Sequence, residues 1–277
     1  MRATGWKKNK ANLVQGKSRQ GYRGRCPGKL YIIGIGPGDI SLISPKALEA
    51  IKRSEVVVGY KTYIGLLGDL IAGKEVVSSG MTQEAKRAGF AIKAAEEGRQ
   101  VSLISSGDPG IYGMAGLVLE LLGGEEKDKI RIEIIPGIIA ATSCASLLGA
   151  PLMHDFAVIS LSDILTDLKL IKRRIVKAAS GDFVIVFYNP QSKSRTRPLK
   201  AAWKILMKYK SPNTPVGMVR NAARKNQEVK ITTLKDMLTE KKIDMVTTII
   251  VGNSRTFTKR QYMITPRGYN SKVAQWD

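Results

Sequence analysis

The chain has 277 residues, and its 45 Lys and Arg against 23 Asp and Glu give a formal net charge of +22. This length allows one large or two ordinary domains, each with a sizeable core. Two cysteines without a CxxC pair and one histidine, His154, argue against a structural zinc site, a disulfide scaffold and any Ser-His-Asp arrangement that does not run through His154.

The positive charge is not confined to the N-terminus. Residues 1–29 carry nine Lys or Arg and no acid, which leaves +13 (22 − 9) for the remainder. A nucleic-acid surface, a lysine-rich thermophile-like surface and a cleft for a polyanionic small molecule would each explain this charge. Aromatic residues are sparse and no RNA- or DNA-binding motif is present, so we do not expect nucleic acid as the main partner. Residues 1–28 are expected to be a disordered basic tail.

The first predicted element is a short apolar strand, Leu30–Ile35, which runs into the loop GIGPGD at 34–39. Glycines there allow a sharp turn and close approach of a ligand. Ser44 is a good cap for a helix that begins at Pro45. Strand, glycine-rich turn and helix together predict a ligand site at the carboxyl end of the first strand of an α/β sheet.

The ligand of this loop is not a dinucleotide or a P-loop phosphate. A dinucleotide fingerprint needs glycine where Asp39 stands and an acid near Tyr60, and a P-loop needs Gly-Lys-Ser/Thr. Asp39 would also repel a phosphate. The alternative interpretation of the loop is a tight structural turn without a ligand.

The remaining first half alternates strands with helices. Strands are expected at 55–59, 74–79, 101–105 and 131–135, and helices at 61–70, 82–97 and 138–148. A second glycine-rich turn, SGDPGIYG at 106–113, follows the fourth strand, where Asp108 could accept hydrogen bonds from a ribose or an amine. The alternative is an Asp-Pro-Gly turn that simply opens a helix. Cys144 is expected to be a packed core thiol and not a nucleophile.

Gly149-Ala150-Pro151 interrupts the pattern and is the expected boundary between domains at 29–149 and 150–268, before a polar tail at 269–277. In the second domain we expect strands at 157–161, 183–187, 215–219, 228–232, 246–251 and, at an edge, 261–264. Helices are expected at 167–179, 197–209 and 234–240. Two strands in close succession, at 215–219 and 228–232, indicate a partly antiparallel sheet.

Seven motifs stand in a fixed order along the chain. After GIGPGD come SSGDPGIYG at 105–113, PGIIAA at 136–141, GAPLMHDFAVISLSD at 149–163, FYNPQSKSR at 187–195, VRNAARKNQ at 219–227 and VGNS at 251–254. In this order they resemble the tetrapyrrole (corrin/porphyrin) methyltransferases. HDFA, FYNPxSKxR, VRNA and TPRGY at 265–269 are similar to one branch, the precorrin-3B C17-methyltransferases and cobalt-factor III methyltransferases. The resemblance covers about residues 29–268.

The resemblance implies two α/β domains of the class III S-adenosyl-L-methionine-dependent methyltransferase fold, with the active site in an inter-domain cleft. The implied cofactor contacts are Pro37, Gly107, Asp108, Ile111, Ile139, Ala140, Asn189 and Ala222. Family members commonly have Thr where Ile139 stands, so a hydroxyl contact is in question there. Relatives that methylate uroporphyrinogen have an acid where Tyr60 stands, so that base cannot be transferred.

The implied activity is methylation of a corrin precursor at carbon 17 with ring contraction, in cobalamin biosynthesis. Peripheral carboxylates would make this tetrapyrrole a polyanion, with or without cobalt, and the basic residues beside the family loops are its candidate partners: Lys193, Arg195, Arg220 and Arg224. His154, Asp39 and Tyr60 are hypothetical proton handlers. No metal ligand set of the protein is expected.

A homodimer in a reducing cytoplasm, without a membrane span or secretory signal, completes this interpretation. Two alternatives remain open. One keeps the fold and changes the substrate to another precorrin or to a diphthamide precursor. The other is a basic nucleic-acid-binding protein.

Overall fold

The computed structural model describes residues 28–123 and 130–269. The expected tails therefore lie outside the described residues, except for Gly28 and Tyr269. The chain divides into two compact units, between Ile139 and Ala140. Each unit combines a β-sheet with helices, which confirms the predicted fold class.

The first unit is built on five parallel strands in the order β3-β2-β4-β1-β5. They are β1 Gly28–Gly34, β2 Val56–Tyr60, β3 Glu75–Ser79, β4 Gln100–Ser105 and β5 Ile130–Ile135. The interior strand β1 is buried on both faces: Leu30 and Ile32 belong to one hydrophobic cluster, and Tyr31, Ile33 and Ile35 to another. A continuous apolar run is typical of a parallel strand covered on both sides.

The helices of the first unit are α1 Pro45–Arg53, α2 Lys61–Ile64, α3 Glu84–Glu96 and α4 Met114–Leu121, with 3₁₀ turns at Ile40–Leu42 and Gly68–Ile71. The predicted start of α1 is confirmed, because Ser44 Oγ accepts the Ala47 N–H at 3.2 Å and Pro45 is the first residue. The single helix expected over 61–70 is wrong. The helix ends at Ile64, and Gly68, with φ +49°, interrupts the segment.

The main sheet of the second unit has the order β10-β9-β11-β8-β7. Its strands are β7 Phe156–Ser160, β8 Val184–Tyr188, β9 Pro215–Arg220, β10 Glu228–Thr233 and β11 Thr247–Val251, and a short strand, β6 Gly149–Ala150, precedes them in the chain. β7 and β8 are parallel, and β11 is antiparallel to both β8 and β9. This confirms the partly antiparallel sheet. It also places the carboxyl ends of β7, β8 and β9 at one edge.

The helices of the second unit are α5 Ala140–Leu148, α6 Leu168–Ser180 and α7 Arg197–Tyr209. The helix expected over 234–240 is wrong, since only a 3₁₀ turn at Met237–Thr239 forms there. Asp236 Oδ2 accepts the Thr233 hydroxyl at 2.6 Å, and such local side-chain bonds compete with helix formation.

Helix α5 packs against the second sheet. A Cβ on Gly217 of β9 would lie 2.4 Å from Leu148 Cδ1, so the glycine makes room for this helix. The second unit therefore begins at Ala140, ten residues (149 − 139) before the boundary expected from the sequence.

The predicted edge strand near residue 261 does not join the main sheet. β13 Tyr262–Ile264 pairs antiparallel with β12 Phe257–Lys259 and parallel with β6 in a separate three-stranded sheet. Gly149-Ala150, read from the sequence as a break, thus forms a strand. In the ranges 28–123 and 130–269, no helix is long and apolar enough to span a bilayer.

The first unit contains a carboxylate between two lysines, which predicts a pH dependence of stability. Glu133 of β5 lies 2.5 Å from Lys29 Nζ and 2.7 Å from Lys46 Nζ. Hydrogen bonds from Lys29 and then Lys46 lower the pKa of Glu133 from 4.5 to about 2. Stability from this lowered pKa is present above about pH 4.5 and is lost as the pH falls toward about 2.

We therefore expect Glu133→Gln to lower the free energy of unfolding at neutral pH by about 1 kcal/mol and to flatten its decline between about pH 4.5 and 2. Urea denaturation across this range measures both effects. Glu49→Gln is the control, because the partner of Glu49 among the described residues is Arg53, one helical turn away, and such pairs contribute about 0.3–0.5 kcal/mol. Equal effects of the two substitutions would contradict the prediction.

Candidate active site

The carboxyl ends of β1, β4 and β5 bring three glycine-rich loops together in the first unit. Gly36 N–H donates to Gly107 O at 3.1 Å, and Gly107 N–H donates to Gly36 O at 2.8 Å. Because β1 lies between β4 and β5, the loop after β5 joins the same edge. We call residues 34–39, 105–113 and 136–139 the three-loop site.

Bare backbone is required where these loops touch. A Cβ on Gly34 would lie 2.4 Å from Gly107 O, and a Cβ on Gly137 would lie 2.2 Å from the same oxygen. Real Cβ atoms do not approach an oxygen this closely, so no side chain fits at either position. Loop packing therefore accounts for the presence of glycine at these two positions.

The carboxylate of Asp108 joins two of the loops. Its Oδ1 accepts the Gly110 N–H at 2.8 Å within its own loop, and its Oδ2 accepts the Gly137 N–H at 3.1 Å in the loop after β5. The sequence predicted that Asp108 would receive hydrogen bonds from a ligand. In the structure each carboxylate oxygen already has a backbone donor, so a structural role for Asp108 is established whatever else it binds.

The other expected cofactor contacts of the first unit lie in the same loops. Pro37 is buried and Ile139 is half-buried. The Cα of Ile139 lies 3.8 Å from the position that a Cβ on Gly107 would occupy. Ile111 and Tyr112 are 44% and 60% exposed. The three-loop site therefore combines tightly packed backbone with an exposed aliphatic and an exposed aromatic side chain.

Asp39 and Tyr60 also lie in loops or at strand ends of this edge. Asp39 Oδ1 accepts both the N–H of Ser41, at 2.8 Å, and its hydroxyl, at 2.7 Å. These hydrogen bonds, the hydroxyl first, lower the pKa of Asp39, which makes it a weak base. Tyr60 ends β2, where its ring meets Tyr63 edge-on at 5.1 Å and the Arg87 guanidinium at 5.9 Å.

In the second unit, Arg195 links the loops that follow β7 and β8. Its guanidinium donates to Leu161 O at 2.6 Å, to Asn189 O at 3.0 Å and to Met245 Sδ at 3.0 Å. The side chain is only 11% exposed, and Asp163 lies 3.8 Å away. Arg195 was predicted to contact the substrate. In the structure its guanidinium forms three hydrogen bonds within the protein.

The expected cofactor residues Ala140 and Asn189 belong to adjacent segments of this unit. The Ala141 N–H, in the first turn of α5, donates to Tyr188 Oη at 2.7 Å. Asn189, with φ +51°, donates to Ser160 Oγ at 3.0 Å. Tyr188 therefore connects the start of α5 to the end of β8.

Arg220 and Ala222 lie in the turn after β9. Arg220 binds Asp244 Oδ2 through both Nε and an NH2 nitrogen at 2.9 Å. A second acid, Glu228, is 3.9 Å away, so the charge of Arg220 is compensated. Ala222 lies between two residues with positive φ, Asn221 and Ala223.

The last predicted site residues are more accessible. Lys193 is exposed, and Arg224 is half-buried with its N–H bonded to Asn221 O at 3.0 Å. The His154 side chain is 44% exposed, and its Nδ1 accepts the Asp155 N–H at 2.9 Å. This hydrogen bond occupies the Nδ1 lone pair, so the neutral ring carries its proton on Nε2.

The family model for Tetrapyrrole (Corrin/Porphyrin) Methylases matches residues 29–238. The chain belongs to this family. The match includes the three-loop site as well as the turns that carry Arg195 and Arg220.

Individual tetrapyrrole methylases show how far the similarity extends. The chain is 53% identical to the cobalt-factor III methyltransferase of Priestia megaterium, over 88% of this chain and 46% of that protein. It is 50% identical to the probable cobalt-factor III C(17)-methyltransferase of Salmonella typhimurium, over 87% of this chain and 99% of that protein. The chain thus spans about half the length of the first relative and almost all of the second. The crystal structure of the methyltransferase CobJ has a TM-score of 0.81 and 34% identity, covering 86% of this chain and all of that one.

Sequence reasoning missed Tyr188 in this tetrapyrrole methylase, although it stands inside the quoted FYNPQSKSR motif. A tyrosine at the carboxyl end of a buried strand is a recognisable signal, but its partner, the Ala141 N–H, is distant in sequence. Cys144 agrees with the expected core thiol, since it is buried and burial raises its pKa to about 11. Among the described residues, no group of three His, Cys, Asp or Glu could hold a metal ion.

The contacts of Arg195 generate a stability prediction. Arg195→Lys keeps the charge, but one ammonium cannot reach both Leu161 O and Asn189 O in the same geometry. We expect the free energy of unfolding to fall by about 1–2 kcal/mol, measured by urea denaturation. Lys193→Met, an exposed change in the same loop, should stay within about 0.5 kcal/mol. Unchanged stability of the Arg195 variant would indicate that the guanidinium does not hold the loops.

Proposed function

We propose that this tetrapyrrole methylase transfers a methyl group from S-adenosyl-L-methionine to carbon 17 of cobalt-factor III, with ring contraction, in cobalamin biosynthesis. The supporting names belong to relatives at 53%, 50% and 48% identity, the last from Methanothermobacter thermautotrophicus. All three names contain cobalt-factor III, which favours the cobalt-containing substrate over precorrin-3B.

The observation that carries this proposal is the convergence of three glycine-rich loops at the carboxyl edge of one parallel sheet. Ligands of open α/β sheets bind at this edge. The exposed side chains of Ile111 and Tyr112 beside the closely packed glycines suit a ligand with a flat ring and a polar chain. When bound, S-adenosylmethionine supplies an electrophilic methyl group on a positively charged sulfonium.

The residues of the chain contribute alignment. Methyl transfer to carbon is an in-line displacement, and correct orientation of two reactants can lower the barrier by several kcal/mol. Asp108 fixes the loop after β4 against the loop after β5. Arg195 fixes the loops after β7 and β8. Both act in this proposal as positioning residues.

The four proposed substrate cations then divide into two pairs. Arg195 and Arg220 are engaged by protein acceptors, so they would act by holding their loops. Lys193, which is exposed, and Arg224, which is half-buried in the turn after β9, are assigned to the carboxylates of the macrocycle. Electrostatic complementarity with a polyanionic ring is consistent with basic residues on both family turns.

Proton movement during ring contraction is assigned to His154 before Asp39 or Tyr60. The half-exposed imidazole has Nε2 as its proton-bearing nitrogen, because Nδ1 accepts a backbone N–H. Asp39 is a weak base because hydrogen bonds from Ser41 lower its pKa, and the Tyr60 ring packs against Tyr63.

A homodimer and a cytoplasmic location belong to the same proposal. The buried free thiol of Cys144 suits a reducing compartment.

The activity test uses the full chain under anaerobic conditions with S-adenosylmethionine and either cobalt-factor III or precorrin-3B. We expect a product heavier by one methyl group, formed faster from cobalt-factor III, by mass spectrometry. Preference for precorrin-3B would transfer the assignment to the metal-free substrate. Absence of methylation of both, with circular dichroism showing folded protein, would refute the proposal.

Asp108 provides a sharper test of the three-loop site. In Asp108→Asn, an amide NH2 replaces one oxygen and faces either the Gly110 or the Gly137 N–H, so two donors oppose each other. We expect about tenfold weaker binding of S-adenosylhomocysteine by calorimetry, equivalent to about 1.4 kcal/mol.

The control is Asp69→Asn, which makes the same chemical change at an exposed position in a 3₁₀ turn. Its affinity should equal that of the unsubstituted chain. If Asp108→Asn also bound S-adenosylhomocysteine normally, the joined loops would not form the donor site.

A further inference from the structure

Two neighbouring helices of the second unit form a strongly basic surface that the proposed reaction does not use. α6 and α7 pack against each other on the main sheet, and together they carry nine Lys or Arg and no acid. The nine are Lys169, Lys172, Arg173, Arg174 and Lys177 on α6 and Arg197, Lys200, Lys204 and Lys208 on α7. We call them the α6–α7 basic surface.

None of these nine cations has a carboxylate within ion-pair distance among residues 28–123 and 130–269. Lys177 and Lys208, in the last turns, are favoured by the helix dipoles. The remaining seven (9 − 2) have no such compensation. Thermophile-type surfaces arrange Lys and Arg in networks with acids, and that pattern is missing here.

Three residues of this surface line an open groove together with apolar residues. A volume of about 530 Å³ is lined by Ala157 and Ile159 of β7 and by Leu170, Arg173, Arg174, Lys177 and Ala178 of α6. Four of these lining residues are apolar, and the other three are basic residues of the α6–α7 basic surface. It therefore offers a contact for an apolar side chain next to several contacts for carboxylates.

The combination of basic and apolar lining residues distinguishes among anionic partners. Nucleic acid would satisfy the cations, but it has no aliphatic side chain to contact the apolar lining residues of the groove. A second copy of this chain would place the same basic surface against itself across a two-fold axis, and like charges disfavour that contact. An amphipathic protein segment with apolar residues flanked by carboxylates satisfies both features.

We propose that the groove between α6 and β7, with the basic residues Arg173, Arg174 and Lys177, is a docking site for an acidic amphipathic segment of another protein. Carboxylates of the segment meet the three cations, and an apolar side chain enters between Leu170 and Ala178. The site lies on helix and strand residues outside the three-loop site and outside the turns after β8 and β9. The proposal is therefore independent of the substrate assignment.

The probe is a fluorescein-labelled helical peptide with Leu along one face and Glu on both flanks, measured by anisotropy against the full chain. A second peptide has Gln in place of every Glu, and a third has Ala in place of every Leu. We expect the first peptide to bind and each of the others to bind at least about tenfold more weakly, since both features contribute. Failure of the first peptide to bind would overturn the proposal.

Matched protein variants locate the site. Arg173→Glu with Lys177→Glu reverses two charges in the groove, and Ala178→Gln places a larger, polar side chain among its apolar lining residues. Each change should weaken binding of the first peptide at least about tenfold. Lys241→Glu with Lys259→Glu makes the same change in net charge at exposed positions elsewhere, and it should change affinity by less than about twofold.

Two outcomes would assign another occupant and refute the proposal. In the first outcome, duplex RNA binds more tightly than the peptide. Its affinity then falls in the charge-reversal variant and is unchanged in Ala178→Gln. The other is that the chain is a dimer by analytical ultracentrifugation and that Ala178→Gln alone makes it monomeric. Methyl transfer should be unchanged in all of these variants, so failure of docking and failure of the proposed reaction are distinguishable.

Discussion

The close backbone contact of Gly34, Gly107 and Gly137 is the constraint on which the first unit's site depends. Both Gly34 and Gly137 approach the Gly107 carbonyl so closely that a methyl group would not fit. The Asp108 carboxylate then holds the contact by accepting N–H groups from two loops. Close backbone packing and hydrogen bonding thus involve the same few loop residues. The loops of the three-loop site are therefore hydrogen-bonded to each other in the absence of a ligand.

The basic residues of this chain have different roles, and the net charge alone does not show which residue has which role. Arg195 and Arg220 sit beside family loops, but they are engaged by carbonyls and acids that shape those loops. The α6–α7 basic surface has no such partners among the described residues. A positive charge that is internally bonded contributes to local geometry, whereas an uncompensated one contributes to long-range attraction and costs self-repulsion. The distinction changes which cations are assigned to a substrate and which to a docking partner.

Much of the architecture could be predicted because it follows from local patterns. The apolar run of β1, the Ser44-Pro45 start of α1 and the succession of β9 and β10 each have a signal within a few residues. The assignment of α5 to the second unit could not be predicted this way, since it depends on Leu148 filling the space above Gly217, far away in sequence. The turn at Met237–Thr239 was missed because an apolar period over seven residues cannot reveal the competing Thr233–Asp236 bond.

The same limit applies to the site. Glycine-rich turns after strands indicated where the loops converge, because the carboxyl ends of parallel strands share an edge. They could not indicate what each polar side chain would do there. Asp108 and Arg195 were predicted as ligand contacts from their place in motifs, and both also form hydrogen bonds with backbone groups of their own and neighbouring loops. A motif therefore identifies a residue that is required at that place in the fold. Its partners in three dimensions show whether it holds a loop in position.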